Sequence, residues 1–420
     1  MPHTANATPT PRLSTPLRLR RGKTIRNRLF KSAMSEQLGD RHHNPKPGLA
    51  TLYGRWAEGG VGLQMSGNLM ISRSALGEPA NVVLDEASDL EAFRRWTAAG
   101  SAHGTQFWAQ LNHPGKQSPK FLSPEPVAPS AIPLQGGLEK GFNTPRALSE
   151  AEIEAVIQQF ATSARLAKEV GFSGVQIHGA HGYLVSQFLS PRHNQRQDGW
   201  GGTAEKRRRF VLAVYAAIRK AVGPHYPVGI KLNSADFQRG GFTEEESMDV
   251  VAALAEAGID LIEISGGTYE SPAMVGRAKG APQKASTRQR EAYFLQYAEQ
   301  VRERVSTPLV VTGGFRTAAG MQAALDSGAC DMVGLGRPMA LEPDLPQRAM
   351  TEPDYAIALR PLTTGVRLVD RMAMLDITWY EHQLARMARG LDPRPALSEW
   401  WSFAATLAGS GLYALRQRRA

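Results

Sequence analysis

The sequence predicts an α/β protein built on a (β/α)8 TIM barrel, and three observations carry that expectation. Eight short β-rich runs recur between residues 28 and 335, separated by helix-like stretches. Two of those stretches open with capping-box spacing, Ser149 with Glu152 and Thr243 with Glu246, each ahead of a periodic apolar segment. The last two runs end in glycine turns followed by arginine, where barrels commonly hold phosphate. A doubly wound open sheet is the runner-up, but no G-x-G-x-x-G follows the first run.

Residues 1–16, MPHTANATPTPRLSTP, contain no apolar h-region and read as a disordered tail rather than a signal peptide. Residues 17–28 read as a small hairpin with Arg21-Gly22-Lys23 near its turn. The eight expected strands are Arg28–Ala33, Val61–Ser66, Thr105–Leu111, Ser173–His178, Pro227–Leu232, Asp260–Ile264, Pro308–Thr312 and Asp331–Leu335. Ala155, Ile157, Phe160, Ala164 and Leu166 continue the helix that opens at Ser149. Met248, Val251, Leu254 and Ala255 continue the one that opens at Thr243. The barrel is expected over 17–349. Within it, 112–148 hold seven prolines and four glycines, the composition of a lid or binding loop. Residues 350–420 form a helical extension. Its apolar Trp400, Trp401, Phe403 and Leu407 suit packing on the barrel or on a partner subunit of a homo-oligomer.

Composition narrows the function. A chain of 420 residues with 42% apolar and 21% charged residues can bury a large core. One cysteine, Cys330, is too few for an internal disulfide or a cysteine-held iron–sulfur cluster, and a reducing cytoplasmic setting is expected. The net charge of +10 comes without a helix-turn-helix, zinc-finger or aromatic–basic pattern. It therefore suits phosphorylated ligands rather than nucleic acid. No run of 18 apolar residues occurs, so no membrane span is expected.

Strand alternation then locates the chemistry. In PVGIKLNSA, Val228, Ile230 and Leu232 face the helices, while Gly229, Lys231 and Asn233 face into the barrel. The same rule groups Gln106, Trp108, Gln110 and Asn112, pairs Gln176 with His178, and pairs Glu263 with Ser265. An inward lysine needs a partner; the purely structural choice for Lys231 is Glu263. Thr312-Gly313-Gly314-Phe315-Arg316 and Gly334-Leu335-Gly336-Arg337-Pro338 offer backbone amides and arginines to a phosphate. In FSGVQIHGAHGYLVSQFLSPRHNQRQDGWGG (172–202), a strand delivers His178, His181 and Tyr183 to one place, a grouping able to polarise an oxygen and donate a proton. A zinc pair is disfavoured, because no cysteine or carboxylate ligand lies near the H-x-x-H spacing.

Several segments together match one family. RNRLFKSAMSE (26–36), WAQLNHPGK (108–116), GVQIHGAHGYLVSQFLSPRHNQRQDGWGG (174–202), VVTGGF (310–315) and GLGRP (334–338) resemble the Old Yellow Enzyme family, over about Leu17 to Pro343. The resemblance implies non-covalent FMN in the barrel mouth, with its phosphate on Gly313, Gly314, Phe315, Gly336 and Arg337. It implies Lys231 at the flavin N1 and C2 oxygen, Gln110 at the pyrimidine edge, the backbone of Ala33, Met34 and Ser35 along the other edge, and Asn68 nearby. His178 and His181 would bind a substrate oxygen, Gln37 would touch substrate, and Tyr183 would donate the proton. NADH or NADPH would reduce the flavin, leave, and be replaced by a small-molecule activated alkene, in a ping-pong sequence. A tyrosine of ordinary pKa near 10 is protonated at neutral pH and suits the acid role.

Four positions depart from the usual family pattern. Ser35 stands where threonine or cysteine is common, Gln37 where some subfamilies have tyrosine, and Gly67-Asn68 where Glu-Ala is frequent. Relatives with an iron–sulfur site and extra nucleotide domains need more cysteines and a longer chain. The alternative reading is a barrel lyase or isomerase for a phosphorylated metabolite, with Lys231 forming a Schiff base. It accounts for the phosphate turns but not for Gln110 or H-x-x-H-x-Y.

Overall fold

A computed structural model describes residues 11–266, 283–366, 369–370 and 374–417, with side chains at 11–266, 293–366, 369–370 and 374–409. All eight expected strands form: β1 Leu29–Lys31, β2 Leu63–Met70, β3 Gln106–Asn112, β4 Gly174–Gly179, β5 Val228–Asn233, β6 Leu261–Ser265, β7 Leu309–Thr312 and β8 Met332–Leu335. Each pairs in parallel with the next, and β8 returns to β1 through Val333 opposite Leu29, so the sheet closes. A register shift in β2 between Met65 and Asn68 sets Asn68 opposite Gln110. Such a bulge re-aims side chains beside a site.

Two apolar layers follow from the alternation. Val228, Ile230 and Leu232 join Phe160, Val214 and Leu254 in the layer between strands and helices. Phe30, Leu63, Met65, Trp108, Leu261, Val310 and Met332 form the interior cluster. The hairpin pairs Leu17 with Ile25, and its Leu17, Leu19 and Ile25 close the N-terminal end of that interior. Ligands therefore enter from the strand C-terminal end, where barrel enzymes do their chemistry.

Both capping boxes are made. Ser149 and Glu152 open the helix Glu150–Glu169, and Thr243 and Glu246 open Glu244–Ala257. Ile153, Val156, Ile157, Phe160 and Ala164 form the buried stripe of the first. Ala155, expected in that stripe, is exposed, because it follows the buried Ile153 by only two residues and so lies off its face.

One correction concerns the N-terminus. Within the 1–16 segment expected to be disordered, residues 11–16 are held against the barrel. Leu13 is buried, Gln322 bonds Leu13 N–H and the Pro11 carbonyl, and Arg28 donates to the carbonyls of Thr15 and Pro16. A leucine among prolines and threonines is enough to anchor a strap whose backbone finds partners. Residues 1–10 lie outside the described residues.

Beyond Asn112, which ends β3, residues 113–148 carry a two-residue parallel pairing, Val127–Ala128 with Arg146–Ala147, and an isolated antiparallel bridge between Pro119 and Phe142, as suits an insertion. In the extension, the helix Leu375–Met387 packs over the barrel mouth with Trp379 and Leu384 buried. The helix Glu399–Gln417 turns Trp400, Trp401 and Leu407 outward. Among the described residues, no helix is long and apolar enough to cross a membrane.

Candidate active site

His178 is the penultimate residue of β4 and Tyr183 precedes the short helix Leu184–Leu189. The turn between them puts His181 at φ 63°, a left-handed conformation that a non-glycine residue adopts at a cost. The result is a compact triangle. The His178 ring centre lies 5.1 Å from that of His181 and 4.8 Å from that of Tyr183, both edge to face. Neighbouring strands fix it. His181 Nε2 pairs with Ser265 Oγ at 2.8 Å, and its N–H donates to Asn233 Oδ1 at 3.2 Å. Gln117, from the 112–148 insertion, donates to the His181 carbonyl.

Burial, and then the charge of Lys231, push both imidazoles well below their usual range. They are neutral at pH 7. His178 Nδ1 accepts from Ala180 N–H, which places its proton on Nε2 as a donor. A neutral imidazole can donate a hydrogen bond to an oxygen without surrendering a proton, so the proton must come from elsewhere, and Tyr183 is adjacent.

Burial also pushes His113 down, to about 4. The native state keeps His113 and His178 neutral, while the unfolded chain protonates them near pH 6.5. Stability is therefore expected to fall as pH drops below about 6.5, by up to about 1.4 kcal/mol per pH unit for each histidine. Urea midpoints of the FMN-free protein between pH 7.5 and 5 check this, and a flat profile would contradict neutral burial.

Below the triangle, a polar belt crosses the barrel. Gln110 donates to Gln176 at 2.7 Å, and Gln176 donates to Glu263 at 2.9 Å. Glu263 also accepts from Thr312 at 2.8 Å and pairs with Lys231 at 3.0 Å. Thr312 meets Ser32 Oγ at 2.9 Å. The structural partner considered for Lys231 is thus present. The buried pair is neutral as a whole and holds the ammonium still.

The residues present fit FMN. Lys231 is a buried cation paired with Glu263, and Asn68 Oδ1 is a buried acceptor with no hydrogen-bond partner. At Gly313, φ 125°, and at Gly336, an added Cβ would meet nothing within 4 Å, leaving both turns open to a phosphate. Arg337 flanks the second turn and faces Asp376 of the 375–387 helix at 3.6 Å. Phe315 is buried in the outer core, so only its backbone is available there. Ala33, Met34 and Ser35 follow β1 at the same end of the barrel. Gln37, at φ 50°, donates to Glu381 at 2.8 Å.

The sequence faced Glu263 inward and offered it to Lys231, though not as the hub of the belt. Two further groups were missed. Glu78 and Glu381 reach Ser35 from a loop and from the extension, and no local pattern announces either. Lys31 is buried behind β1. It bonds Tyr53, Glu36 and the Met65 carbonyl and lies over the Tyr53 and Trp56 rings. Burial pushes its ammonium down to about 8.

The NADH:flavin oxidoreductase / NADH oxidase family matches residues 12–353. The NADH-dependent flavin oxidoreductase iliE of Neonectria sp. (strain DH2) is 40% identical over 360 residues, covering 80% of this chain but 47% of that protein. The NADH-dependent flavin oxidoreductase iccE of Talaromyces variabilis is 35% identical over 406 residues, 90% of this chain and 98% of the relative. Among solved structures, the old yellow enzyme homologue of Zymomonas mobilis superposes with a TM-score of 0.69 at 28% identity, covering 85% of this chain and 96% of that one. These matches set aside the lyase or isomerase alternative. The chain belongs to the NADH:flavin oxidoreductase / NADH oxidase family and is an FMN-dependent, NADH- or NADPH-using oxidoreductase of the Old Yellow Enzyme type.

Proposed function

We propose that this enzyme reduces the C=C bond of α,β-unsaturated carbonyl compounds or related activated alkenes. The neutral His178–His181 pair beside Tyr183 carries the reading. When bound, FMN supplies hydride transfer, taken up from the nicotinamide and passed to the alkene. His178 Nε2–H and His181 hold the carbonyl oxygen and stabilise the negative charge that builds there. The Tyr183 hydroxyl gives its proton to the α-carbon. Lys231, steadied by Glu263, offers a fixed cation within the barrel. The 178–183 turn and the lid residue Gln117 orient the substrate over this floor. With the N-terminal end plugged by the hairpin, nicotinamide and alkene share one mouth and must alternate, which supports a ping-pong sequence.

The test is anaerobic. NADH or NADPH should bleach the yellow protein, and cyclohex-2-enone, added after the nicotinamide is removed, should restore the colour. A bleached protein that only oxygen re-oxidises would leave an NADH oxidase and refute the alkene reading.

A further inference from the structure

The Ser35 hydroxyl, at the barrel mouth after β1, lies 2.5 Å from Glu78 Oε1 and 2.5 Å from Glu381 Oε1. A hydroxyl has one proton and can donate it once. Two such short contacts are both hydrogen bonds only if one carboxyl is itself protonated and donates to Ser35 Oγ. The outer oxygens agree with that count. Glu78 Oε2 accepts from the Asn81 amide at 3.0 Å, and Glu381 Oε2 accepts from the Gln37 amide at 2.8 Å. Both outer oxygens face donors, so the extra proton belongs between the carboxyls, on the serine side.

The charged surroundings favour the same count. Besides Glu381, Glu36 also acts on Glu78 by its charge, and it is tied to Lys31. On the 375–387 helix, Asp376 is matched by Arg337. Among the described residues, no lysine or arginine pairs with Glu78 or Glu381. Two like charges across a single oxygen cannot both form cheaply without a cation. Burial, then mutual repulsion, push Glu78 up to about 8, and burial raises Glu381.

We propose that Ser35, Glu78 and Glu381 form one proton-sharing unit carrying a single negative charge, and that this unit sets the reduction potential of the bound flavin. Glu381 is then a positioning residue. It makes the C-terminal extension part of the redox site, acting through Ser35. The control of potential rests on the flavin lying along residues 33–35. Negative charge there disfavours the anionic reduced flavin and lowers its potential.

Charge counting makes the proposal testable, because glutamine mimics a protonated glutamate. Glu78→Gln and Glu381→Gln should each leave one carboxylate, and so a flavin potential at pH 7 close to that of the wild type. The double variant should lose the charge and raise the potential. Above about pH 8 the wild type should gain a second charge and its potential should fall more steeply, a step absent from both single variants. Infrared spectroscopy of the FMN-free protein at pH 7 should show the carbonyl stretch of a protonated carboxyl, lost in either single variant. Single variants that each raise the potential, with the double variant their sum, would mean two carboxylates and overturn the proposal. So would an infrared spectrum of the wild type without that band. A shared-proton band with a potential indifferent to the double variant would overturn the control of potential alone.

Discussion

Glu263→Ala is expected to cost about 3–5 kcal/mol of stability, the loss typical of breaking a buried ion pair from one side. Glu263 is fully buried and accepts from Gln176 and Thr312 as well as Lys231. Its removal strands a buried ammonium and two neutral donors. Against a total of about 5–15 kcal/mol, that brings the protein near unfolding. Most of the penalty should come from the uncompensated Lys231, not from loss of the pair's own attraction. Adding Lys231→Met should therefore recover much of it. Urea midpoints of the FMN-free proteins measure both effects without cofactor binding contributing. A single-variant loss under about 1 kcal/mol would show that Glu263 is not the hub of the belt.

Tyr183→Phe should slow alkene reduction by about 10²–10⁴-fold, the usual contribution of a positioned acid. Reduction of the flavin by nicotinamide involves no such proton and should stay within a few-fold of the wild type. The asymmetry follows from the neutral histidines. Were either one an imidazolium, it could replace the missing phenol, but burial and Lys231 hold both uncharged. Stopped-flow measurement of each half-reaction decides it. Equal slowing of both would point to a packing role for Tyr183 instead.

The barrel was legible because its evidence is local. A period of two within each strand, capping residues at helix starts and glycine at turns are readable within a few residues of chain. The His178–Tyr183 triangle was legible for the same reason, since six consecutive positions hold it. Glu381 was not, because it meets Ser35 across some 350 residues, and only tertiary packing of the extension brings them together. Lys31 was hidden by its strand. A charged residue in a β-run suggests an exposed or inward position, whereas this one points outward into an aromatic pocket supplied by a later helix. The strap at 11–16 was missed because its composition resembles disorder and a single leucine anchors it.

Barrel closure also has a consequence during synthesis. β1 finds its β2 neighbour early, but its other edge pairs only with β8, about 300 residues later. At about 5–20 residues per second, that edge waits on the ribosome for roughly 15–60 s. During that interval Leu29 and Phe30 expose an unpaired, apolar strand edge, the kind that recruits other chains. Aggregation of this enzyme is therefore most readily limited by slowing initiation or supplying chaperones, which lengthen the distance between nascent chains or cover the edge until β8 emerges.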